Sequence, residues 1–259
     1  MNTVTSADGT LIAFDRFGDG PPIIMAAGAF NERSTTEPLA RALEPRFTLL
    51  NYDRRGRGGS GDTAPYSVQR EIEDIAALIS EAGGTAAVFG YSSGANLALQ
   101  AAASGLQITK LALYEPPFNP DDSYPPLPSD LASRLAGLVS AGRRGEAVEL
   151  YQTTAVGMPP SVVEQMRHAP FRPSLEAIAH TLAYDAAIIG DRSLPAGLLG
   201  SIHVPALVIS GEQSPPFMRA AAQAVAAALP YGQLHTLADQ GHDINPEATA
   251  PVIADFLAS

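Results

Sequence analysis

Ser92 is the residue of this sequence whose neighbours most clearly prepare it for chemistry. It lies in the pattern Gly90-x-Ser92-x-Gly94, between an apolar run at 85–89 and a run of small residues at 93–103. We interpret the first run as a buried strand, the second as a helix, and the turn between them as a nucleophile elbow that presents a serine hydroxyl. A serine at a helix N-terminus is also placed where free N–H groups and the helix dipole favour a developing negative charge. The alternative is that Ser92 only caps the helix, since serine is a favoured N-cap residue.

Strands and helices alternate on both sides of this turn. Apolar runs at 23–27, 47–52, 108–114 and 204–210 are typical of strands buried on both faces of a parallel sheet. Residues 3–6 and 11–17 add a hairpin, and helical spacing of apolar residues separates several of the strands. The alternation predicts an α/β fold with right-handed crossovers. We predict that the last helix becomes regular only from Pro251, because proline inside a helix costs about 3 kcal/mol.

The alternation stops between residues 118 and 200. Helical stretches are predicted there at 129–141, 145–155, 160–168 and 174–189, and no strand pattern is recognised. We therefore predict a helical cap insert at 118–200 and a core made of residues 1–117 and 201–259. The cap is expected to cover Ser92 and to supply an apolar pocket, since substrate pockets are mostly apolar with a few polar anchors.

Composition narrows the classes of protein that this chain can belong to. It has 259 residues, a formal net charge of −11 and no cysteine. The negative charge argues against nucleic acid and membrane surfaces as partners, and the missing cysteines exclude disulfides, thiolate catalysis and cysteine-bound metals. The sequence shows neither a signal peptide nor an apolar stretch long enough to cross a membrane. We expect a cytoplasmic protein that binds a small-molecule substrate.

The elbow at Ser92, a cap-sized insert, and His242 just before the last helix resemble the α/β-hydrolase superfamily in content and order. The resemblance covers nearly the whole chain. It implies an eight-stranded, mostly parallel sheet flanked by helices, with Ser92 as nucleophile and His242 as general base. It implies no metal and no organic cofactor. The alternative for His242 is an ordinary histidine in a surface loop.

The acid that would orient His242 departs from the commonest pattern of that superfamily. Where an aspartate usually follows the seventh strand this chain has Ser214, which cannot stabilise an imidazolium as an anion would. Glu115 ends the sixth strand, which lies beside the elbow strand in this fold. Haloalkane dehalogenases and certain lipases are similar in carrying their acid there. We favour Glu115; the alternatives are Glu212, Asp239, Asp243 or no acid at all.

The resemblance also implies two backbone N–H donors for an oxyanion. One is the N–H of Ser93, directly after the nucleophile. The other is that of Ala29, in a loop where many relatives have His-Gly and this chain has the run Ala27-Gly28-Ala29-Phe30. Phe30 and Tyr91 are predicted to line the substrate pocket, although an aromatic residue beside a loop is as often part of the core.

Three classes of function remain open. We favour hydrolysis of a carboxylic ester, thioester or lactone of a small to medium apolar substrate, through an acyl-enzyme. A non-hydrolytic catalyst of the same fold, such as a cyclase or lyase, is kept open by Ser214 and by the altered His-Gly loop. A ligand-binding protein on the same scaffold is the third class, and the intact pair of Ser92 and His242 weighs against it.

Overall fold

Eight strands form one sheet in the computed structural model, which describes residues 1–120 and 126–259. The strands are β1 (Asn2–Thr5), β2 (Leu11–Phe17), β3 (Pro22–Ala26), β4 (Thr48–Tyr52), β5 (Ala86–Tyr91), β6 (Ile108–Tyr114), β7 (Ala206–Gly211) and β8 (Gly232–Leu237). They lie in the order β1-β2-β4-β3-β5-β6-β7-β8. The pairs β1–β2 and β2–β4 are antiparallel, and the other pairs are parallel. The predicted α/β fold with an eight-stranded, mostly parallel sheet is therefore confirmed.

Helices cover both faces of the sheet. The helices of the described residues are α1 (Arg33–Leu43), α2 (Val68–Glu81), α3 (Ser93–Ala103), α4 (Leu131–Ser140), α5 (Arg144–Tyr151), α6 (Pro160–Met166), α7 (Arg172–Ala177), α8 (Leu182–Ile189), α9 (Ala196–Gly200), α10 (Pro216–Ala228) and α11 (Pro246–Ala258). Successive side chains of a strand point to opposite faces, so Ile24 belongs to the apolar cluster that includes α2, α3 and α10, and Ile23 to the cluster that includes α1 and α11. No helix within 1–120 or 126–259 is long and apolar enough to cross a bilayer.

In the described part of the chain between β6 and β7 there are six helices, α4 to α9, and α4, α5 and α8 share a small apolar cluster. The predicted helix at 174–189 is wrong in its extent, since α7, a 3₁₀ turn (Ala179–Thr181) and α8 follow one another. The backbone of Ile178 is not helical (φ −104°, ψ 13°). The hydroxyl of Thr181 donates a hydrogen bond to the carbonyl of Ile178, which competes with the backbone hydrogen bonds of a continuous helix. The division into core and cap stays a prediction, and residues 121–125 of the predicted cap lie outside the described residues.

The predicted start of the last helix at Pro251 is also wrong. α11 begins at Pro246, a residue suited to the first helical position because it has no N–H to leave unpaired. The Asn245 side-chain oxygen accepts hydrogen bonds from the N–H groups of Glu247 (3.1 Å) and Ala248 (3.4 Å). Pro251 lies inside the helix, and the burial of neighbouring Ile253 offsets part of the cost of its missing hydrogen bond.

Gly94 marks the closest approach of α3 to the sheet. A Cβ atom at this position would lie 2.3 Å from the carbonyl oxygen of Ala26 and 2.6 Å from that of Ala27. Gly94→Ala is therefore expected to lower the free energy of unfolding by about 2–3 kcal/mol, because backbone atoms would have to move. In α4, a Cβ on the exposed Gly137 would meet nothing within 4 Å. Gly137→Ala is the control and should raise stability by about 0.5–1 kcal/mol. Urea unfolding measures the free energy of unfolding of both variants. Equal changes in the two variants would contradict the close packing of Gly94 against the carbonyl oxygens of Ala26 and Ala27.

Candidate active site

Ser92 stands at the turn between β5 and α3. Its backbone (φ 54°, ψ −123°) lies in a region that residues other than glycine rarely adopt. The N–H of Ser92 donates to the carbonyl of Tyr114 on β6 at 2.9 Å, which ties the turn to the neighbouring strand. The Ser92 side chain makes no capping hydrogen bond to α3 and lines a cavity instead. The partly buried side chain of Ser92 therefore faces the cavity and does not cap α3.

Glu115 directly follows β6, and its carboxylate is completely buried. One oxygen, Oε2, lies 2.6 Å from Nδ1 of His242. The other, Oε1, accepts hydrogen bonds from the N–H of Gly211 (2.8 Å) and from the hydroxyl of Ser210 (3.2 Å). Because a carboxylate only accepts, Nδ1 of His242 must donate, which leaves Nε2 of the neutral ring without a proton. In a neutral ring held this way, Nε2 of His242 is the nitrogen with a free lone pair.

Two tyrosines hold the loop that carries His242. The hydroxyl of Tyr114 donates to the carbonyl of Gly241 at 2.7 Å. The ring of Tyr91 lies against the imidazole, with 5.1 Å between the ring centroids. These contacts fix the loop from the two strands, β5 and β6, that also carry Ser92 and Glu115.

The alternative acids lie elsewhere. A carboxylate oxygen of Glu212 accepts a hydrogen bond from the N–H of Asp239 at 3.2 Å, at the protein surface. Asp239 and Asp243 are both exposed, and neither they nor Glu212 forms a hydrogen bond or ion pair with His242 in the described part of the chain. Ser214, at the position where a carboxylate is commonest in relatives, is buried. Glu115 is thus the carboxylate that the fold brings to the histidine.

The loop after β3 approaches the nucleophile closely. A Cβ atom on Gly28 would lie 2.9 Å from Cβ of Ser92, so the loop can reach this position only with glycine. The backbone N–H groups of Ala29 and Ser93 donate to no acceptor in the described residues. Both predicted donors therefore stay available beside Ser92 for an oxygen that gains negative charge.

Arg57 holds this loop in place. Its Nη1 donates to the carbonyl of Gly28 at 2.6 Å and to that of Asn31 at 3.1 Å. The side chain of Asn31 in turn donates to the carbonyl of Ala29 at 2.7 Å. A buried guanidinium thus braces a loop in which many relatives use a histidine.

Asp185 of α8 connects the helices between β6 and β7 to the candidate active site. Its buried carboxylate accepts hydrogen bonds from Arg54 (2.7 Å), Arg57 (2.6 Å) and the Ser93 hydroxyl (2.8 Å). Burial alone would raise the pKa of Asp185, but the charges of Arg57 and Arg54 hold it below its usual value. Our reading of the sequence missed this residue, although a single acid in the apolar run of α8 was a signal for a buried ion pair.

Asp185→Asn is expected to lower the free energy of unfolding by about 3 kcal/mol or more, because Arg57 loses its carboxylate partner inside the protein. A loss of that size corresponds to a fall of roughly 6–12 °C in Tm for a chain of this length. Asp255→Asn is the matched control, since Asp255 pairs with Arg46 at 3.3 Å but is 81% exposed. The control should change stability by less than about 0.5 kcal/mol. Thermal unfolding measures the Tm of both variants. An unchanged Tm for Asp185→Asn would show that the ion pairs of Asp185 with Arg54 and Arg57 add nothing to stability.

A cavity of about 320 Å³ joins these groups. Ser92 and His242 both line it, together with the predicted pocket residues Phe30 and Tyr91. Other lining side chains are largely apolar and include Ala155, Val156, Ile189, Phe217 and Met218. Three polar ones, Asn31, Tyr151 and Arg192, were missed in the sequence, where no local pattern distinguishes them. Within 1–120 and 126–259 no group of three or more histidines, aspartates or glutamates is arranged to hold a metal ion.

The sequence and the fold of this chain are similar to those of known proteins. The family model described as the alpha/beta hydrolase family matches residues 7–255. The 2-(acetamidomethylene)succinate hydrolase of Mesorhizobium japonicum is 26% identical over 253 residues, which are 93% of this chain and 89% of that protein. An alpha/beta hydrolase from Sphaerobacter thermophilus superposes with a TM-score of 0.92 at 52% identity, covering 99% of this chain and 100% of that chain. The enol-lactonase from Burkholderia xenovorans has the same fold, with a TM-score of 0.74 and 23% identity over 100% of both chains.

Proposed function

Since the chain belongs to the alpha/beta hydrolase family, we propose that it is a serine hydrolase that cleaves a carboxylic ester, thioester or lactone of a small to medium, largely apolar substrate. The observation that carries the proposal is the hydrogen bond of 2.6 Å between Glu115 and His242, a histidine that lines the same cavity as Ser92. A nucleophile, a base and an acid that orients the base are the parts that acyl transfer requires.

In the first half of the proposed reaction, the Ser92 hydroxyl attacks the carbonyl carbon of the substrate. Nε2 of His242 takes the hydroxyl proton as the oxygen–carbon bond forms. The carbonyl oxygen becomes an oxyanion, which the N–H groups of Ala29 and Ser93 stabilise. The buried carboxylate of Glu115 stabilises the imidazolium. The proton then passes from His242 to the leaving alcohol or thiol as its bond to carbon breaks.

In the second half, water resolves the acyl-enzyme. His242 removes a proton from the water as its oxygen attacks the acyl carbon, and the proton returns to Ser92 when the ester bond breaks. The free acid and the restored hydroxyl are the products. No group outside the chain, the substrate and water is needed to balance these steps.

The names of the relatives support the proposed reaction class. One similar protein is named a hydrolase of an acetamidomethylene succinate and another an enol-lactonase. The second is similar in fold alone, so the argument for ester or lactone cleavage rests mainly on the local geometry at Ser92.

Labelling with a fluorophosphonate probe tests the proposal. Such probes form a covalent bond only with an activated serine, so the wild-type protein should be labelled at Ser92 within minutes, and the Ser92→Ala variant should not be labelled. Labelling of both proteins to the same extent, or of neither, would contradict the proposed nucleophile. A protein that is not labelled would instead favour a non-hydrolytic catalyst or a binding protein.

A further inference from the structure

Arg192 brings a positive charge to the wall of the cavity. It lies in the turn after α8, where its N–H donates to the carbonyl of Ile189 (3.1 Å) and its carbonyl accepts from the N–H of Asn119 (2.7 Å). Its backbone is left-handed (φ 69°), a conformation uncommon for residues with a side chain. The backbone is thus anchored, and the side chain lines the cavity that contains Ser92 and His242.

The guanidinium of Arg192 has no counter-ion in the described residues. None of the described carboxylates pairs with it, and its buried Nε has no hydrogen-bond partner among those residues. Asp191, its neighbour in the turn, bonds instead to the N–H of Ser193 at 2.8 Å. Among residues 1–120 and 126–259, no aspartate or glutamate lines the cavity. Desolvation lowers the pKa of Arg192, but an arginine stays protonated at neutral pH. A charge kept in such surroundings is costly unless an anion meets it.

Tyr151 adds a second polar group on the same wall. It is buried at the end of α5, and its ring meets that of Phe30 edge to face, with 5.4 Å between centroids. Its hydroxyl forms no hydrogen bond with a described residue, and burial raises the pKa of Tyr151, so the group it offers is a neutral hydroxyl. One guanidinium and one hydroxyl match a group with a single negative charge. A phosphate, with nearly two charges, is matched less well.

Resting on the function proposed above, we infer that the acyl part of the substrate carries a carboxylate, and that Arg192 binds it while Ser92 attacks the carbonyl carbon. The acyl part stays in the cavity during both halves of the reaction, whereas the leaving group must depart before water enters. A cation at a fixed position on the cavity wall is therefore suited to bind the acyl part, which remains in the cavity. The apolar side chains that line the same cavity, such as Val156 and Ile189, suit a short aliphatic chain.

Two esters with the same number of carbons in the acyl chain show the effect of the substrate carboxylate separately from that of chain length. These are the p-nitrophenyl half ester of glutaric acid and p-nitrophenyl pentanoate. The wild-type protein should favour the half ester in kcat/KM. Arg192→Met should lose about 10- to 100-fold on the half ester and much less on the pentanoate, since hydrogen bonds to charged groups are the strong ones. Arg134→Met, on the exposed surface of α4, removes the same charge away from the cavity and should leave the ratio of the two esters unchanged.

A binding measurement keeps this inference separate from the proposed reaction. Calorimetry should show that glutarate binds Ser92→Ala at least tenfold more tightly than it binds the double variant Ser92→Ala/Arg192→Met, with melting curves confirming that both are folded. Inorganic phosphate should bind neither protein measurably. Equal affinity of the two variants for glutarate, or equal losses of Arg192→Met on both esters, would overturn the inference. If the proposed hydrolysis itself fails, Ser92 will not be labelled, and the calorimetry still decides the role of Arg192.

Discussion

Ser92→Ala is expected to lower kcat for p-nitrophenyl esters by at least about 10³-fold, because the reaction loses its nucleophile. The fold should be retained, since alanine occupies the space of serine and the Ser92 side chain makes no capping bond to α3. Steady-state kinetics and a melting curve of the same preparation measure the two effects. Ser104→Ala, at the other end of α3, removes a hydroxyl that bonds only to the Ala101 carbonyl at 2.7 Å. This control should keep the wild-type rate, and near-wild-type turnover in Ser92→Ala would refute the proposed nucleophile.

Glu115→Gln should cost up to about 10⁴-fold in kcat, the loss known for a triad acid replaced by its amide. The hydrogen bonds explain why. The N–H of Gly211 and the hydroxyl of Ser210 hold Oε1, so the amide oxygen of glutamine must take that position. The amide NH₂ group then faces Nδ1 of His242 and can only donate to it. The proton of the neutral imidazole moves to Nε2, where the base is needed.

Glu212→Gln is the matched control for this acid. It makes the same chemical change in a carboxylate that lies at the surface after β7 and accepts from the Asp239 N–H at 3.2 Å. Its kcat should stay within about threefold of wild type, as for most surface substitutions. If instead Glu212→Gln lost the activity and Glu115→Gln kept it, the acid would be the one after β7.

Local patterns were enough to predict the sheet and the surroundings of Ser92. The apolar runs of β3, β5 and β6 and the glycines around Ser92 act within a few residues of each other, so the sequence displays them directly. The position of Glu115 followed from the order of strands in a known fold. The start of α11 was also visible, in Asn245 followed by Pro246, but the cost of Pro251 was given too much weight.

Contacts between distant parts of the chain could not be predicted in this way. Asp185 and Arg57 are 128 positions apart, and only the packing of α8 on the elbow brings them together. The inference that Arg192 binds a carboxylate depends on the absence of a paired carboxylate among the described residues, and no local sequence pattern contains that information.

The ion pairs of Asp185 also bear on how molecules enter and leave the cavity. Lifting α8 away from the sheet would separate a carboxylate from Arg54 and Arg57 in a buried place, at a cost of about 3–5 kcal/mol. Motion of that kind is therefore rare, and α8 should exchange its amide hydrogens slowly. Val156, by contrast, lines the cavity, is 46% exposed and precedes Gly157, which has a left-handed backbone (φ 78°). Gln152–Val156 form a π-helical turn. We expect molecules to pass between solvent and Ser92 beside the Val156 end of this turn, while α8 stays in place.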